Sequence, residues 1–372
     1  MTFDVVIVGA GIVGAACADE FTQAGLRVAV IEANQIGGGA TAEGMGHITV
    51  MDDSEAQFAL TNYSQQLWRT LAPELPQDTE YEECGAMWVA ADDEEMAEVH
   101  RKQSFYEQRG VPVEVLDAKA LAEAEPNLRA GLAGGLRVPR DGVTYPPCGA
   151  RFFIERAQAR GAQLFLGKPV VELTGKGARL KDGTFIAAGF AVNATGSWAP
   201  ELTPGINVQK RKGHLVITDR YPGFVHHQLI ELGYLKSAHS IASDSVAFNA
   251  QPRKTGQILI GSSRQYGVED KKIDQPILTR MIERAVEYMP RLATLTAIRT
   301  WTGFRAATPD KLPLIGKSAL ENLYLATGHE GLGITTSLGT AKLLADQVLN
   351  RTPAIPIEPY LPSRSTEEAA HA

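Results

Sequence analysis

The residues best placed to do chemistry are three glycines in a fixed spacing and one acid behind them. Gly9, Gly11 and Gly14 follow the apolar run Val5-Val6-Ile7-Val8, and Glu32 closes the next apolar run, Arg27 to Ile31. A buried strand, a Gly-x-Gly-x-x-Gly turn, a helix and a second strand ending in an acid form a dinucleotide-binding fingerprint. Gly9 permits the tight turn, Gly11 lets a pyrophosphate approach the backbone, and Gly14 lets helix and strand pack closely. Ala10, Ile12 and Val13 fill the turn and open the helix, whose free N–H groups and partial positive charge suit phosphate. Glu32, with Ala33 after it, is placed to bind ribose hydroxyls, and an acid there disfavours the 2′-phosphate of NADP. Glu32 without that spacing would read as a solvated strand end.

A second cluster lies in the last third. The strand-like Asn322 to Ala326 runs into Thr327-Gly328-His329-Glu330-Gly331-Leu332-Gly333-Ile334, and an apolar helix follows from about Thr335 to Leu349. Glycines ahead of a helix start make another anion-friendly cradle. Reduced flavin is negative near N1 and O2, so such a helix end would stabilise it. Upstream lie Gly303-Phe304-Arg305 and Pro309-Asp310; an arginine fork grips a carboxylate through two parallel hydrogen bonds. A glycine-rich loop, 37–46, follows Glu32 and includes Gly39, Ala40, Thr41, Gly44, Met45 and Gly46, with His47 behind it. Its backbone could lie against a flat ligand.

These residues need a scaffold, and the chain supplies one. It has 372 residues, with 44% hydrophobic, 21% charged and a net charge of −7. That is ordinary for a globular protein, long enough for two domains, and no footprint for nucleic acid or DNA. Cys17, Cys84 and Cys148 are isolated, which signals neither a zinc site nor an iron–sulfur cluster. Three scattered cysteines fit a reducing compartment. The N-terminus has no basic segment typical of a signal peptide, and no apolar run approaches a membrane span. A cytoplasmic location follows, with peripheral membrane contact for electron delivery left open.

The remaining elements read in order. Helical spacing covers Ser54 to Leu71, with Phe58, Leu60 and Trp68 as core, and Glu82 to Ala90 reads as a strand. Asp92 to Gln108 and Asp117 to Ala124 read as helices, and so does Cys148 to Arg160. Lys181-Asp182-Gly183-Thr184 is a hairpin turn. Phe190 to Trp198 is a buried strand ending in small residues, and strands dominate between Gly205 and Ile298. The expected fold class is α/β: a Rossmann-like nucleotide-binding domain from 1–50, 131–204 and 300–362. A substrate domain from 51–130 and 205–299 is interleaved with it, α+β and built on a mostly antiparallel sheet. The polar tail 363–372 is expected to be disordered.

Taken together, the fingerprint with Glu32, Gly38-Gly39-Ala40-Thr41, Val192 to Trp198, Gly303-Phe304-Arg305 and Pro313-Leu314-Ile315-Gly316 resemble the glycine oxidase/D-amino-acid oxidase (DAO) family of FAD enzymes. The block Thr327 to Leu338 is most similar to the branch holding D-hydroxyproline dehydrogenases, opine oxidase FAD subunits and hydrogen cyanide synthase subunits. The resemblance implies an extended FAD. Gly9, Gly11 and Gly14 would hold its pyrophosphate, Glu32 its ribose, and the Val170 backbone its adenine. Ala194, Gly196 and Trp198 would line its path, with Met45 and Gly46 by the isoalloxazine and Gly331, Leu332, Gly333 and Ile334 at its pyrimidine edge. Arg305 would grip the substrate carboxylate. His47, Tyr234, His239, Arg264, Tyr266 and His329 are further pocket candidates. No cysteine follows Cys148, so flavin attachment through a C-terminal cysteine is excluded and FAD is expected to be non-covalent.

The activity implied is dehydrogenation of the C–N bond of a small amino or imino acid, by hydride transfer from the α-carbon to flavin N5. D-Hydroxyproline or D-proline is the preferred donor, and a quinone, a protein or O2 the acceptor. A glycine- or sarcosine-type oxidase is one alternative. An FAD subunit that works only inside a hetero-oligomer is another, and any iron–sulfur partner would be a separate chain. A homo-oligomer is equally compatible.

Overall fold

The computed structural model describes residues 2–233 and 244–364. It divides the chain into two units: Met1–Thr79, Tyr145–Lys210 and Phe304–Ala372 form unit 1, and Glu80–Thr144 with Arg211–Gly303 form unit 2.

Unit 1 is built on β1 (Phe3–Val8), whose last four residues are buried valines and isoleucine. It pairs in parallel with β2 (Val28–Glu32) on one side and β9 (Phe185–Asn193) on the other. Outside β2 lies β6 (Gln163–Leu166), and outside β9 lies β16 (Leu323–Thr327), both parallel. β15 (Leu314–Lys317) closes that edge antiparallel. β7 (Val170–Thr174) and β8 (Gly177–Leu180) form a flap on β9, turning at the expected hairpin. Helix α1 (Ile12–Gln23) follows β1 directly and ends at Ala24, with Gly25 in the left-handed region at φ +86°. It starts earlier than Ala15, because the fingerprint glycines supply its first turn. α2 (Ala40–Glu43) is a single turn. α3 (Glu55–Leu71) is capped by Ser54 Oγ on the Gln57 N–H, and α6 (Pro146–Ala159) starts on paired prolines. α7 (Ala199–Leu202) is short, and α9 (Gly333–Val348) is long and largely buried.

Unit 2 carries a sheet in the order β14-β10-β13-β12-β11-β3-β5-β4. The strands are β3 (Ala86–Ala90), β4 (Glu114–Asp117), β5 (Gly134–Val138), β10 (Gln209–Thr218), β11 (Gln228–Glu231), β12 (Ser245–Pro252), β13 (Ile258–Arg264) and β14 (Ala297–Ala307). The β3–β11 pair is parallel, while the pairs β10–β13, β13–β12, β12–β11, β3–β5 and β5–β4 are antiparallel. α8 (Gln275–Tyr288) covers one face, where Met281, Ala285 and Tyr288 join Val216, Leu229, Phe248, Ala250 and Ile260 in one core. α4 (Asp93–Glu107) and α5 (Ala118–Ala124) complete the unit, capped by Asp92 and Asp117. A Rossmann-like unit interleaved with an antiparallel α+β unit is the architecture expected.

Four boundaries move, two of them by only a few residues: 205–210 fall in unit 1 and 300–303 in unit 2. Residues 51–79 belong to unit 1, because the apolar face of α3 packs on α9 rather than on the antiparallel sheet. Trp68 is fully buried and donates its indole N–H to Ile334 O and Thr335 O at 3.2 and 3.1 Å. Residues 131–144 belong to unit 2, because β5 lies between β3 and β4. Tyr234 and His239 lie outside the described residues, as does the tail from 365. Among the described residues no helix is long and apolar enough to cross a membrane.

Candidate active site

The fingerprint turn is held by its own strands. Gly9 N–H donates to Ile31 O at 2.8 Å, and Ala194 N–H to Val8 O at 2.9 Å. A Cβ on Gly9 would stand 2.6 Å from Ala194 O, and one on Gly14 would overlap the Gly9 carbonyl oxygen. Gly9 therefore needs glycine for close approach as well as for its turn at φ +104°, and Gly14 for the close packing of helix and strand. Glu32 reaches back across the turn: Oε2 accepts from Ala10 N–H and Oε1 from Asn34 N–H, each at 2.8 Å. Its carbonyl accepts from Lys168 N–H at 3.0 Å, which brings the start of β7, and so Val170, close to this acid.

The helix behind the turn has no side-chain cap and no acid in its first turn. Thr41 stands at that end, its Oγ1 accepting from Ile12 N–H at 3.0 Å. The other segments close in around it. A Cβ on Gly39 would meet the Trp198 ring at 3.5 Å, one on Gly44 would meet Ile334 Cδ1 at 3.2 Å, and one on Gly333 lies 4.0 Å from Val13 Cγ2. The start of α9 therefore sits beside the start of α1. Helix α9, too, has no side-chain cap and no acid in its first turn. Two uncapped helix starts, lined by small residues and fronted by Glu32, suit a long anionic cofactor with a ribose. These residues fit FAD.

The loop before α9 is fixed from two sides. Glu330 N–H donates to Ala306 O at 2.9 Å, pinning it to β14 next to Arg305, and a Cβ on Gly331 would lie 3.7 Å from Arg305 Nε. Thr335 Oγ1 donates to His47 O at 2.9 Å and accepts from Thr49 N–H at 3.3 Å, tying the 44–49 segment to the first turn of α9. His47 Nε2 is buried. Burial first, and the Arg305 charge second, hold the His47 pKa down to about 4, so its ring is neutral near neutral pH. Arg305, His47 and the glycine loop thus meet on unit 1.

Three other candidates are described. His329 is buried with Nε2 2.9 Å from Thr340 Oγ1, and burial lowers its pKa to about 3; it braces α9 instead of facing an open site. Arg264 and Tyr266 belong to unit 2. Sequence reasoning missed Thr335, Asn193 and Thr327. Asn193 Oδ1 accepts from Thr195 N–H and Oγ1, and its Nδ2 donates to Ala199 O and Thr203 Oγ1. Thr327 Oγ1 donates to Gly196 O at 2.8 Å. A buried asparagine at a strand end, just before a glycine, was the available signal.

The model of the DAO family, described as FAD dependent oxidoreductase, matches residues 4–347. The chain belongs to the DAO family of FAD dependent oxidoreductases. It is thus an FAD enzyme, and the cradle above is consistent with that. Hydrogen cyanide synthase subunit HcnC of Pseudomonas aeruginosa is 29% identical, over 99% of this chain and 98% of that protein. Glycine oxidase of Geobacillus kaustophilus is 28% identical over 96% of each. The crystal structure of that glycine oxidase superposes with a TM-score of 0.87 at 27% identity, covering 98% of this chain and 99% of the other. The crystal structure of L-proline dehydrogenase from P. horikoshii gives 0.87 at 26% identity, covering 98% and 97%. The family expected from the motifs, with glycine oxidase, and a member of the expected branch, a hydrogen cyanide synthase subunit, are thus among the relatives.

Proposed function

We propose that the protein dehydrogenates the C–N bond of a small amino or imino acid whose carboxylate is held by Arg305. The observation that carries this is the position of Arg305 beside Gly331 and the neutral His47, all on the unit that holds the dinucleotide cradle. Bound FAD supplies a hydride acceptor. The chain's residues do the rest. Gly9 to Gly14 and Thr41 would seat the FAD pyrophosphate and Glu32 its ribose, and the uncapped α9 start would stabilise negative charge on the reduced ring. Arg305 orients the donor by a two-point grip on its carboxylate. A neutral imidazole adds no second positive charge next to the guanidinium, so the carboxylate is drawn to Arg305 and the amine is not repelled by the His47 ring.

The preferred donor is a cyclic secondary amino acid, D-hydroxyproline or D-proline. The likeness of the 327–338 block to that branch supports it. The test is anaerobic bleaching of bound flavin by a panel of amino acids. Reduction by D-imino or N-alkyl amino acids is the expected result; a panel in which none of them bleaches the flavin overturns the reading.

The relative named as a hydrogen cyanide synthase subunit supports a second reading, an FAD subunit that passes electrons to another chain. Size-exclusion mass and turnover of the isolated chain distinguish the two. Rapid reoxidation of reduced protein by air marks a glycine- or sarcosine-type oxidase, and slow reoxidation a dehydrogenase with a quinone or protein acceptor.

A further inference from the structure

Three histidines with buried ring nitrogens differ in how those nitrogens are served. His329 Nε2 lies 2.9 Å from Thr340 Oγ1. In unit 2, His214 Nδ1 lies 2.9 Å from Ser263 Oγ, and its Nε2 accepts from Asp274 N–H at 3.0 Å. His47 Nε2 is closed off from solvent and has no hydrogen-bond partner among the described residues. Leaving a buried polar atom unpaired costs free energy, and folds rarely accept that cost without a use for the atom.

The His47 ring is also held in place. Its carbonyl is bound by Thr335 Oγ1 at 2.9 Å, and Ile48 and Thr49 beside it are buried. The charge of Arg305 is felt at the ring and, after burial, helps to keep it neutral. A neutral imidazole with its proton on Nδ1 presents a lone pair at Nε2, so the group that fits there is an N–H or O–H donor. Arg305 offers donors only. Unit 1 thus sets an acceptor within the field of a carboxylate-binding fork, and an amino acid carries the complementary pair, an N–H beside a carboxylate. Two hydrogen bonds of about 2.9 Å and the short O–C–C–N path between them span roughly 8 Å. One charge still acts on a buried group over that distance.

We propose that His47 Nε2 accepts the N–H of the donor's amine, so that the recognised donor is an amine bearing at least one hydrogen beside its carboxylate. This rests on the reading above, in which Arg305 holds that carboxylate. His47 is then a binding residue that favours primary and secondary amino acids over N,N-dialkyl ones, whose free amine has no hydrogen to give.

The test uses FAD-loaded protein and two unreactive ligands of one size, pyrrole-2-carboxylate and furan-2-carboxylate. Both carry the carboxylate and only the pyrrole carries an N–H. Affinities are read at pH 7.5 from the change in flavin absorption. The unmutated protein is expected to bind the pyrrole at least tenfold more tightly than the furan. His47→Leu should bring the two within about twofold, and His47→Gln, which keeps an acceptor, should retain part of the preference. Equal binding in the unmutated protein overturns the proposal whether or not the variants fold. So does a preference that survives His47→Leu; if that substitution also shifts the flavin bands of the ligand-free protein, the nitrogen serves the flavin ring instead. Arg305→Met should weaken both ligands alike. If it weakens neither, or if neither ligand perturbs the flavin of the unmutated protein, the carboxylate reading fails and this proposal with it; binding of both ligands without an N–H preference sinks the His47 role alone.

Discussion

Glu32 Oε2 accepts the Ala10 N–H at 2.8 Å, so the acid that ends β2 is fastened to the turn that begins α1. One carboxylate thus shapes the fingerprint turn at the place proposed for the ribose. Glu32→Ala should weaken FAD at least tenfold and lower the Tm of the apo form. Glu32→Gln, which keeps an acceptor, should do less. Fluorescence titration of apoprotein with FAD checks both.

Gly14 and Gly11 should differ in kind. A Cβ at Gly14 overlaps the Gly9 carbonyl oxygen, whereas one at Gly11 meets only Thr41 Oγ1 at 3.2 Å, and Gly11 has an ordinary φ of −65°. Gly14→Ala should cost several kcal/mol, on the order of an overpacked core, and yield little folded protein. Gly11→Ala should fold with near-normal circular dichroism and lose flavin affinity.

Arg305→Met is expected to raise the donor KM by about a hundredfold or more, the loss of a charged two-point contact being worth roughly 3 kcal/mol. Arg305→Lys should recover only part, because an ammonium cannot present two parallel N–H groups. Steady-state kinetics with a dye acceptor reads both variants.

Trp68→Phe removes the indole donor that serves Ile334 O and Thr335 O. A loss of about 1–2 kcal/mol is expected, with faster FAD release in mild urea, since the first turn of α9 loses its brace. Urea midpoints followed by flavin fluorescence measure it.

Acid should destabilise the protein in a defined window. His47 and His329 titrate at about 4 and about 3 when folded, against 6.5 when exposed. Between 6.5 and those values the unfolded chain binds protons that the native state refuses, so stability is full above pH 6.5 and falls as pH drops below it. His329→Gln should flatten the decline. Urea midpoints at pH 7.5, 6.5 and 5.5 show the slope.

Much of unit 1 was legible because its signals are local. The β1 turn, its glycines and Glu32 lie close together in sequence, and only one backbone path satisfies them all. The partner of α3 was not legible. The spacing of Phe58, Leu60 and Trp68 says that a face is buried but not against what, and the answer, α9, lies at the far end of the chain. Helix α9 begins at Gly333 rather than Thr335; a Cβ there would press on His329 Cβ at 3.3 Å, so the position favours a glycine, which a propensity reading counts as a breaker. His329 illustrates the limit for single residues. A histidine next to a glycine loop invites a role in chemistry, and only the distance to Thr340 reveals the brace.

The bare helix starts of α1 and α9 carry a cost for the cell. Neither helix start has an N-cap side chain of its own, so FAD bound there would add partners for leading N–H groups, and the empty chain should be the less durable one. Its steady-state level should then follow riboflavin supply, with proteases clearing whatever chain goes unfilled.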